Sequence, residues 1–358
     1  MNLEEYISNE VWKCTLKYIR MMRITKEKFF EDLQNGVSVE EYSKGIKNLW
    51  NIDHDYMDKA IEELNRLVAE KDFSDFEEYA ITTQKSIKLE DGKLYYEVQD
   101  KKIYPLNPES DFRTMENRYV NDHIKAYSSQ VKGLYLVSDK ESYLSELVPK
   151  YDKLDKTIPY YNKDGSLKCY NTIATYNSML YNWNLTHSAW NRTEYDSEFL
   201  GNDLEYLVAH PYSCPLCMEY QGKVYTNDPK NKKYTYKGVA IDGGVGHPNC
   251  KHTWTLYWSE EQIQRDKYNT AEWEEKYKTQ QKLQSLDLEK SRLLSDRRIY
   301  KSLGNQGKVD ECTTKIKAIR EKKKQLDQSW MSINFKNGIP TKCTSYLSRK
   351  EELKIYGY

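Results

Sequence analysis

Apolar residues recur at spacings of three and four along two N-terminal stretches, about 4–34 and 39–70, and each predicts a helix. In the second, Ile46, Leu49, Trp50, Met57, Ile61, Leu64 and Val68 hold that spacing, with Ser38 placed as a cap and Glu41 three residues on. Asn35-Gly36 ends the first stretch. Two helices joined so briefly form an antiparallel hairpin, so residues 1–85 read as an N-terminal helical hairpin. The segment SIKLEDGKLYYEV, 86–98, then alternates around Asp91-Gly92, the pattern of a two-residue β-hairpin turn.

From 86 to 165 the pattern is mixed. It is broken at Pro105 and Pro108, helical over 112–131, apolar from Gly133 to Val137, and closed by Asp164-Gly165. A long helical pattern resumes over 167–200, carrying Tyr170, Ile173, Tyr176, Met179, Leu180, Trp183, Leu185 and Trp190. After Gly201 the alternation in DLEYLVA predicts a strand running into a cysteine-bearing segment. Two further helical patterns, 260–303 and 308–331, flank Gly304-Asn-Gln-Gly307. In the second, Val309, Cys312, Ile316, Ile319, Leu326 and Trp330 form one seam, which predicts an antiparallel hairpin or coiled coil over 259–331. Its basic run, Arg320 to Lys324, reads as a solvated face rather than a DNA contact. Residues 332–358 hold no period and read as an irregular arm.

Composition changes this picture in three ways. A chain of 358 residues has room for two or three compact units. Lys+Arg 55 against Asp+Glu 55 argues against a nucleic-acid wrapper or a polybasic membrane binder, either of which needs excess cations. No stretch approaches the roughly 18 apolar residues of a membrane span, and MNLEEYISNE lacks the basic and apolar regions of a secretory signal. Tyrosine is abundant, 32 against 7 Phe, which suits surfaces half-buried against neighbours or reflects a bias in codon use. The seven cysteines are odd in number and four are scattered singly, so no disulfide framework is expected.

The chemistry lies in 209–254. Cys214-Pro-Leu-Cys217 is a C-x2-C pair, a spacing that brings two thiolates onto one face of a tight turn at about the 3.7 Å a tetrahedral metal needs. About thirty residues later Cys250-Lys-His252 supplies two donors, and His247, three residues before Cys250, offers another. Five candidates compete for four positions. Soft thiolates with imidazole favour Zn2+ in a structural, cross-linking role. A catalytic zinc needs an open position and a general base, and Glu219 or Asp242 are the nominees. Gly238, Gly243, Gly244 and Gly246 are not followed by Gly-Lys-Ser/Thr and read as turn backbone, not a phosphate loop. The fold class is therefore α+β and mostly α-helical: helical hairpins flanking a small zinc-stabilised β module, with a long C-terminal antiparallel helical hairpin.

The order Cys214-Pro-Leu-Cys217, then Gln221-Gly222-Lys223-Val224-Tyr225, then His247-Pro-Asn-Cys250-Lys-His252 resembles tailed-phage minor capsid and head-morphogenesis proteins, the group with the Mu F-like domain. The flanks are similar too: a long helix with Trp190-Asn-Arg-Thr-Glu194 before the motif, and Tyr277-Lys-Thr-Gln-Gln-Lys-Leu283 with the helical hairpin after it. The likeness covers 164–331, places the Mu F-like core at 166–258, and points to the second minor capsid protein branch. Where many members end HPNC-x-Cys, this chain has His252. The expected ligands are accordingly Cys214, Cys217, Cys250 and His252, with His247 buttressing the loop or serving as the alternative fourth ligand.

The resemblance implies a structural virion component without catalytic residues, acting at the portal in head assembly or DNA ejection. Its implied partners are the portal protein, the major capsid protein and other copies of itself, with at most weak contact to packaged DNA. Its implied locations are the phage head and, during assembly, the bacterial host cytoplasm. Two other readings stand beside it: a treble-clef nuclease of the HNH type, suggested by His247-Pro-Asn249, and a cellular zinc-stabilised interaction module.

Overall fold

The computed structural model describes residues 3–82, 108–161, 165–210, 213–265 and 270–336. The expected β-hairpin at 86–98 and the arm beyond 336 lie outside them. Helices dominate, with two small sheets, so the chain is a mostly helical α+β protein.

Helix α1, Leu3–Asn35, ends at Gly36, whose φ of 70° is the left-handed turn conformation that glycine adopts without steric cost. Helix α2, Val39–Leu49, begins with the complete capping box: the Ser38 side chain accepts the Glu41 N–H while Glu41 reaches back to the Ser38 N–H. The helix expected over 39–70 is in fact two. Trp50 leaves helical geometry, and Asp53 accepts the Asp55 N–H to start α3, Asp55–Thr82. Both run back along α1. Contacts descend α1 as they ascend α2 and α3: Trp50 Nε1 donates to Thr25 Oγ1, Lys17 Nζ to the Asp53 carbonyl, and Tyr6 OH to the Ala60 carbonyl.

Helices α4, Pro108–Leu134, and α5, Lys140–Tyr151, complete this body, with Tyr42 stacked on Tyr127 at 3.9 Å inside it. Strands β1, Lys156–Tyr161, and β2, Leu167–Thr172, pair antiparallel, so the boundary expected at 165 falls between two paired strands. The helix expected from 167 therefore starts only at 173. Tyr170, placed on its apolar seam by spacing, is a strand residue and 54% exposed.

Helix α6, Ile173–Leu200, is the axis of the molecule. Thr172 caps its start and Gly201 its end. It packs on α1 and α3 and also carries the small β module, so it is buried on nearly all sides. A helix buried all round is usually apolar; this one buries Asn177, Asn182, Asn184, Thr186, Ser188, Arg192, Thr193 and Asp196.

The second sheet has the order β5-β4-β3-β6. Strands β3, Leu204–Leu207, β4, Val224–Thr226, and β6, Trp254–Leu256, pair antiparallel, and β5, Thr235–Tyr236, joins β4 in parallel. Between them lie two short helices, α7, Pro215–Met218, and α8, Lys237–Asp242. The N-terminal helices grip this module through buried carboxyls: Thr253 Oγ1 donates to Glu4, and Asp72 accepts the Leu256 N–H at 3.2 Å.

After α9, Glu260–Arg265, helices α10, Thr270–Ser302, and α11, Gln306–Lys336, lie against each other. The seam of Cys312, Ile316 and Ile319 is buried as expected. Lys323 corrects the reading of the basic run: it sits on that same seam, 7% exposed, and pairs with Asp287 of α10. Its neighbours Arg320, Lys322 and Lys324 are exposed. Helix α11 also continues past 332, into the stretch expected to be irregular.

Candidate metal centre

Two loops deliver the sulfur and nitrogen donors to one end of the β module. In the first, Cys214 is the N-cap of α7 and Pro215 opens it, with the Cys217 and Met218 N–H groups both bonding the Cys214 carbonyl. This single turn puts Cys217 directly inward, where it is fully buried, and leaves Cys214 half-buried. In the second loop, the His247 N–H bonds the Gly244 carbonyl and the Cys250 N–H the His247 carbonyl, a turn that folds His247 back over Cys250. Gly246 within it has φ 90°, and a Cβ there would stand 2.7 Å from the Trp190 ring, so both backbone and space demand glycine.

Helix α6 sets the height of this second loop. Asn182 Nδ2 donates to the carbonyls of Pro248 and Cys250, Thr186 Oγ1 to Cys250, Trp190 Nε1 to His252, and Thr193 Oγ1 to Trp254. These four residues share one helix face at spacings of four, four and three. The carbonyls of 250, 252 and 254 share one side of an extended chain. Rise along the helix from Thr186 to Thr193, about 10 Å, nearly matches about 13 Å of extended chain, so the two periods stay in step. The polar residues of α6 are thus the fixed rungs on which Cys250 and His252 hang.

The five expected donors converge. Cys214, Cys217 and His247 form one group within 4.8 Å of one another, and Cys217, Cys250 and His252 a second, sharing Cys217. Cys217 Sγ is 3.8 Å from Cys250 Sγ, close to the roughly 3.7 Å between two sulfurs on a tetrahedral ion. Cys250 Sγ is 3.5 Å from His252 Nδ1, while Cys214 Sγ is 3.0 Å from His247 Nε2. The cluster could hold a metal ion.

Three sulfurs so close cannot all ionise unaided. The hydrogen bond from Cys217 pulls the Cys214 thiol down to about 4, against the opposing effect of burial, and His247 lowers it further. Contact with Cys217 likewise takes Cys250 well below the usual thiol range. Cys217, with one proton to share between these two neighbours, is pushed far up. A divalent cation is what allows all three to be thiolates together.

The two histidines differ in which nitrogen is bare. Gln221 Oε1 accepts the His210 backbone N–H at 3.3 Å, which fixes that atom as the oxygen. It lies 2.9 Å from His252 Nε2, so that nitrogen carries the hydrogen and Nδ1 turns a lone pair toward Cys250. His247 is arranged the other way: its Nδ1 accepts the Asn249 N–H at 3.2 Å, leaving the hydrogen on Nε2, which faces Cys214. His210 stacks on His252 at 4.2 Å, and burial holds it neutral, well below the usual histidine range.

Spacing identifies the donors but not what fixes them. Gln221 has no evident role within Gln221-Gly222-Lys223-Val224-Tyr225, and Asn182 and Thr186 stand beside the apolar seam of their helix. The signal was present: amide and hydroxyl residues at helical spacing inside an otherwise buried helix need partners. Burial raises the phenol of Tyr277 on α10, and the nearby Cys214 charge acts in the same direction. Glu219 and Asp242, the nominated general bases, are both exposed. No family model, curated protein or solved structure matches the chain.

Proposed function

We propose that this chain is a structural minor capsid protein of a tailed bacteriophage, a head-morphogenesis component without catalytic function, whose β module is locked by one Zn2+. The observation that carries this reading is the convergence of the ordered motifs on one site. The C-x2-C turn and the HPNCKH loop bring the donors, Gln221 of the QGKVY stretch orients His252, and Thr193 of the Arg-Thr-Glu stretch holds the strand after it. Residues that resemble a family motif and also serve one structural purpose support a shared module rather than a chance spacing.

The fourth ligand is His252. Its Nδ1 lone pair faces Cys250 Sγ at 3.5 Å, about the nitrogen–sulfur separation across a tetrahedral zinc. His247 makes the 3.0 Å contact of a direct hydrogen bond and would have to give up the Asn249 N–H to ligate through Nε2. Cys214, Cys217, Cys250 and His252 leave no open position, as in structural sites, where the ion ties together loops too small to bury a core of their own. The portal, the capsid lining and further copies of the chain are the proposed partners. The test is mass spectrometry of purified particles carrying this chain. Recovery at low copy relative to the portal protein is the expected result. Absence from assembling and mature heads alike, or nicking of DNA that is lost on His247→Ala, would overturn it.

A further inference from the structure

Within the same module a second buried polar group is assembled that holds no metal donor. Lys237 follows β5 and is only 4% exposed. Its Nζ lies 2.7 Å from Glu205 Oε2, a charge contact off the hydrogen-bond direction, and 3.0 Å from Glu194 Oε1. The Trp254 ring lies under it, centroid at 4.9 Å. Glu205, on β3, is closed to solvent, and its other oxygen, Oε1, is 2.6 Å from the side-chain amide of Asn227.

The strand register explains this meeting. In the parallel β4–β5 pair Tyr225 faces Thr235 and Thr226 faces Tyr236, and Asn227 and Lys237 are the residues that next follow the two strands. One dry carboxyl group thus holds an amine at one oxygen and a carboxamide at the other, the two coming from the residues that follow β5 and β4.

We propose that Lys237 and Asn227 become joined by an intramolecular isopeptide bond, with Glu205 as the proton-transfer group. The Lys237 ammonium passes one proton to Glu205, and the freed Nζ lone pair attacks Asn227 Cγ. The Cγ–Nδ2 bond then breaks as the second amine proton moves to Nδ2, ammonia leaves, and Glu205 gives its proton to the departing ammonia. The lysine ammonium and the carboxamide are consumed, a secondary amide and ammonium are formed, and no oxidant, reductant or further reactant enters. Removing the charges of both Lys237 and Glu205 from a dry site relieves two desolvation costs during the attack. The product ties the end of β4 to the start of α8, a covalent staple across the two-residue β4–β5 pairing.

The test is the denatured mass and peptide map of the full purified chain. The expected result is a mass lower by one ammonia than the sequence requires, no tryptic cleavage after Lys237, and a branched peptide joining Lys237 to Asn227. Lys237→Arg and Glu205→Gln should each restore the full mass, and Asn227→Asp should yield the same branched product with loss of water instead. An unmodified mass with Lys237 cleaved normally in the wild-type chain overturns the proposal, whether or not any variant folds. So does an ammonia loss without a branched peptide, or a branch to Glu194.

Discussion

Asn182 and Thr186 both donate to the Cys250 carbonyl, at 2.6 and 2.9 Å, inside a fully buried site. Either residue alone leaves that carbonyl one partner, and removing both leaves none. Asn182→Ala also orphans the Pro248 carbonyl, but it removes an Asn182 Oδ1 that is itself buried without a partner. Since a buried group left unsatisfied costs about 1 to 3 kcal/mol, Asn182→Ala should cost about 2 kcal/mol and Thr186→Val about 1 kcal/mol. The double variant should exceed their sum by about 1 kcal/mol, because only then does the Cys250 carbonyl lose its last bond. Urea titration of the zinc-loaded full chain, followed by the fluorescence of Trp190 and Trp254 beside the site, reads these differences as midpoint shifts. Additive losses would refute the view that α6 holds Cys250 through this shared acceptor. So would a Thr186→Val midpoint lower than that of Asn182→Ala.

Three further outcomes follow from other parts of the molecule. Gln221→Ala frees the His252 ring to turn or change tautomer, and zinc affinity, measured by chelator competition, should fall about 10- to 100-fold while the other three ligands remain. Burial pushes the Asp196 carboxyl up to about 6, against the pull of Arg192, so between pH 4 and 6 the folded chain binds protons that the unfolded chain has lost. Stability should therefore fall by about 3 kcal/mol as pH rises through that window, and Asp196→Asn should flatten this part of a pH series of denaturation midpoints. On the C-terminal seam, Asp287→Ala removes the carboxylate paired with the buried Lys323 and should cost up to about 3 kcal/mol by thermal melting, whereas Lys323→Met should be neutral or stabilising.

Much of this architecture could be read from spacing, because the features concerned are local. The Ser38–Glu41 box, the turn at Gly36 and the seam from Cys312 to Ile319 each depend on residues within one or two turns of helix. The errors share a cause. Trp50 and Met57 are seven apart, so they fall in phase whether or not a helix connects them, and only Asn51 and Asp53 marked the break. Tyr170 and Ile173 are three apart, which fits a helix, yet Leu167 to Thr172 finds its partner across a turn in β1, a pairing that periodicity does not encode. Lys323 looked solvated because lysine usually is; its place at the fourth position after Ile319 and the third before Leu326 was the better guide.

The donors were legible for a related reason. Cysteine and histidine at knuckle spacing have few other uses, and Cys214, Cys217 and Cys250 do come together. The arrangement that distinguishes His252 from His247 was not legible, since it depends on Gln221 and the His210 backbone from one loop and on the Asn249 N–H from another. The polar face of α6 was obscured by its apolar surroundings, because Asn182, Thr186 and Thr193 satisfy carbonyls more than sixty residues away.

The most direct measurement is native mass spectrometry of the full chain beside Cys250→Ser, His252→Ala and His247→Ala, each purified with zinc and passed through a weak chelator. One zinc per wild-type chain is predicted, retained in His247→Ala and lost in Cys250→Ser and His252→Ala. A wild-type chain that keeps no metal, or a pattern in which His247→Ala loses the ion and His252→Ala retains it, would contradict the account.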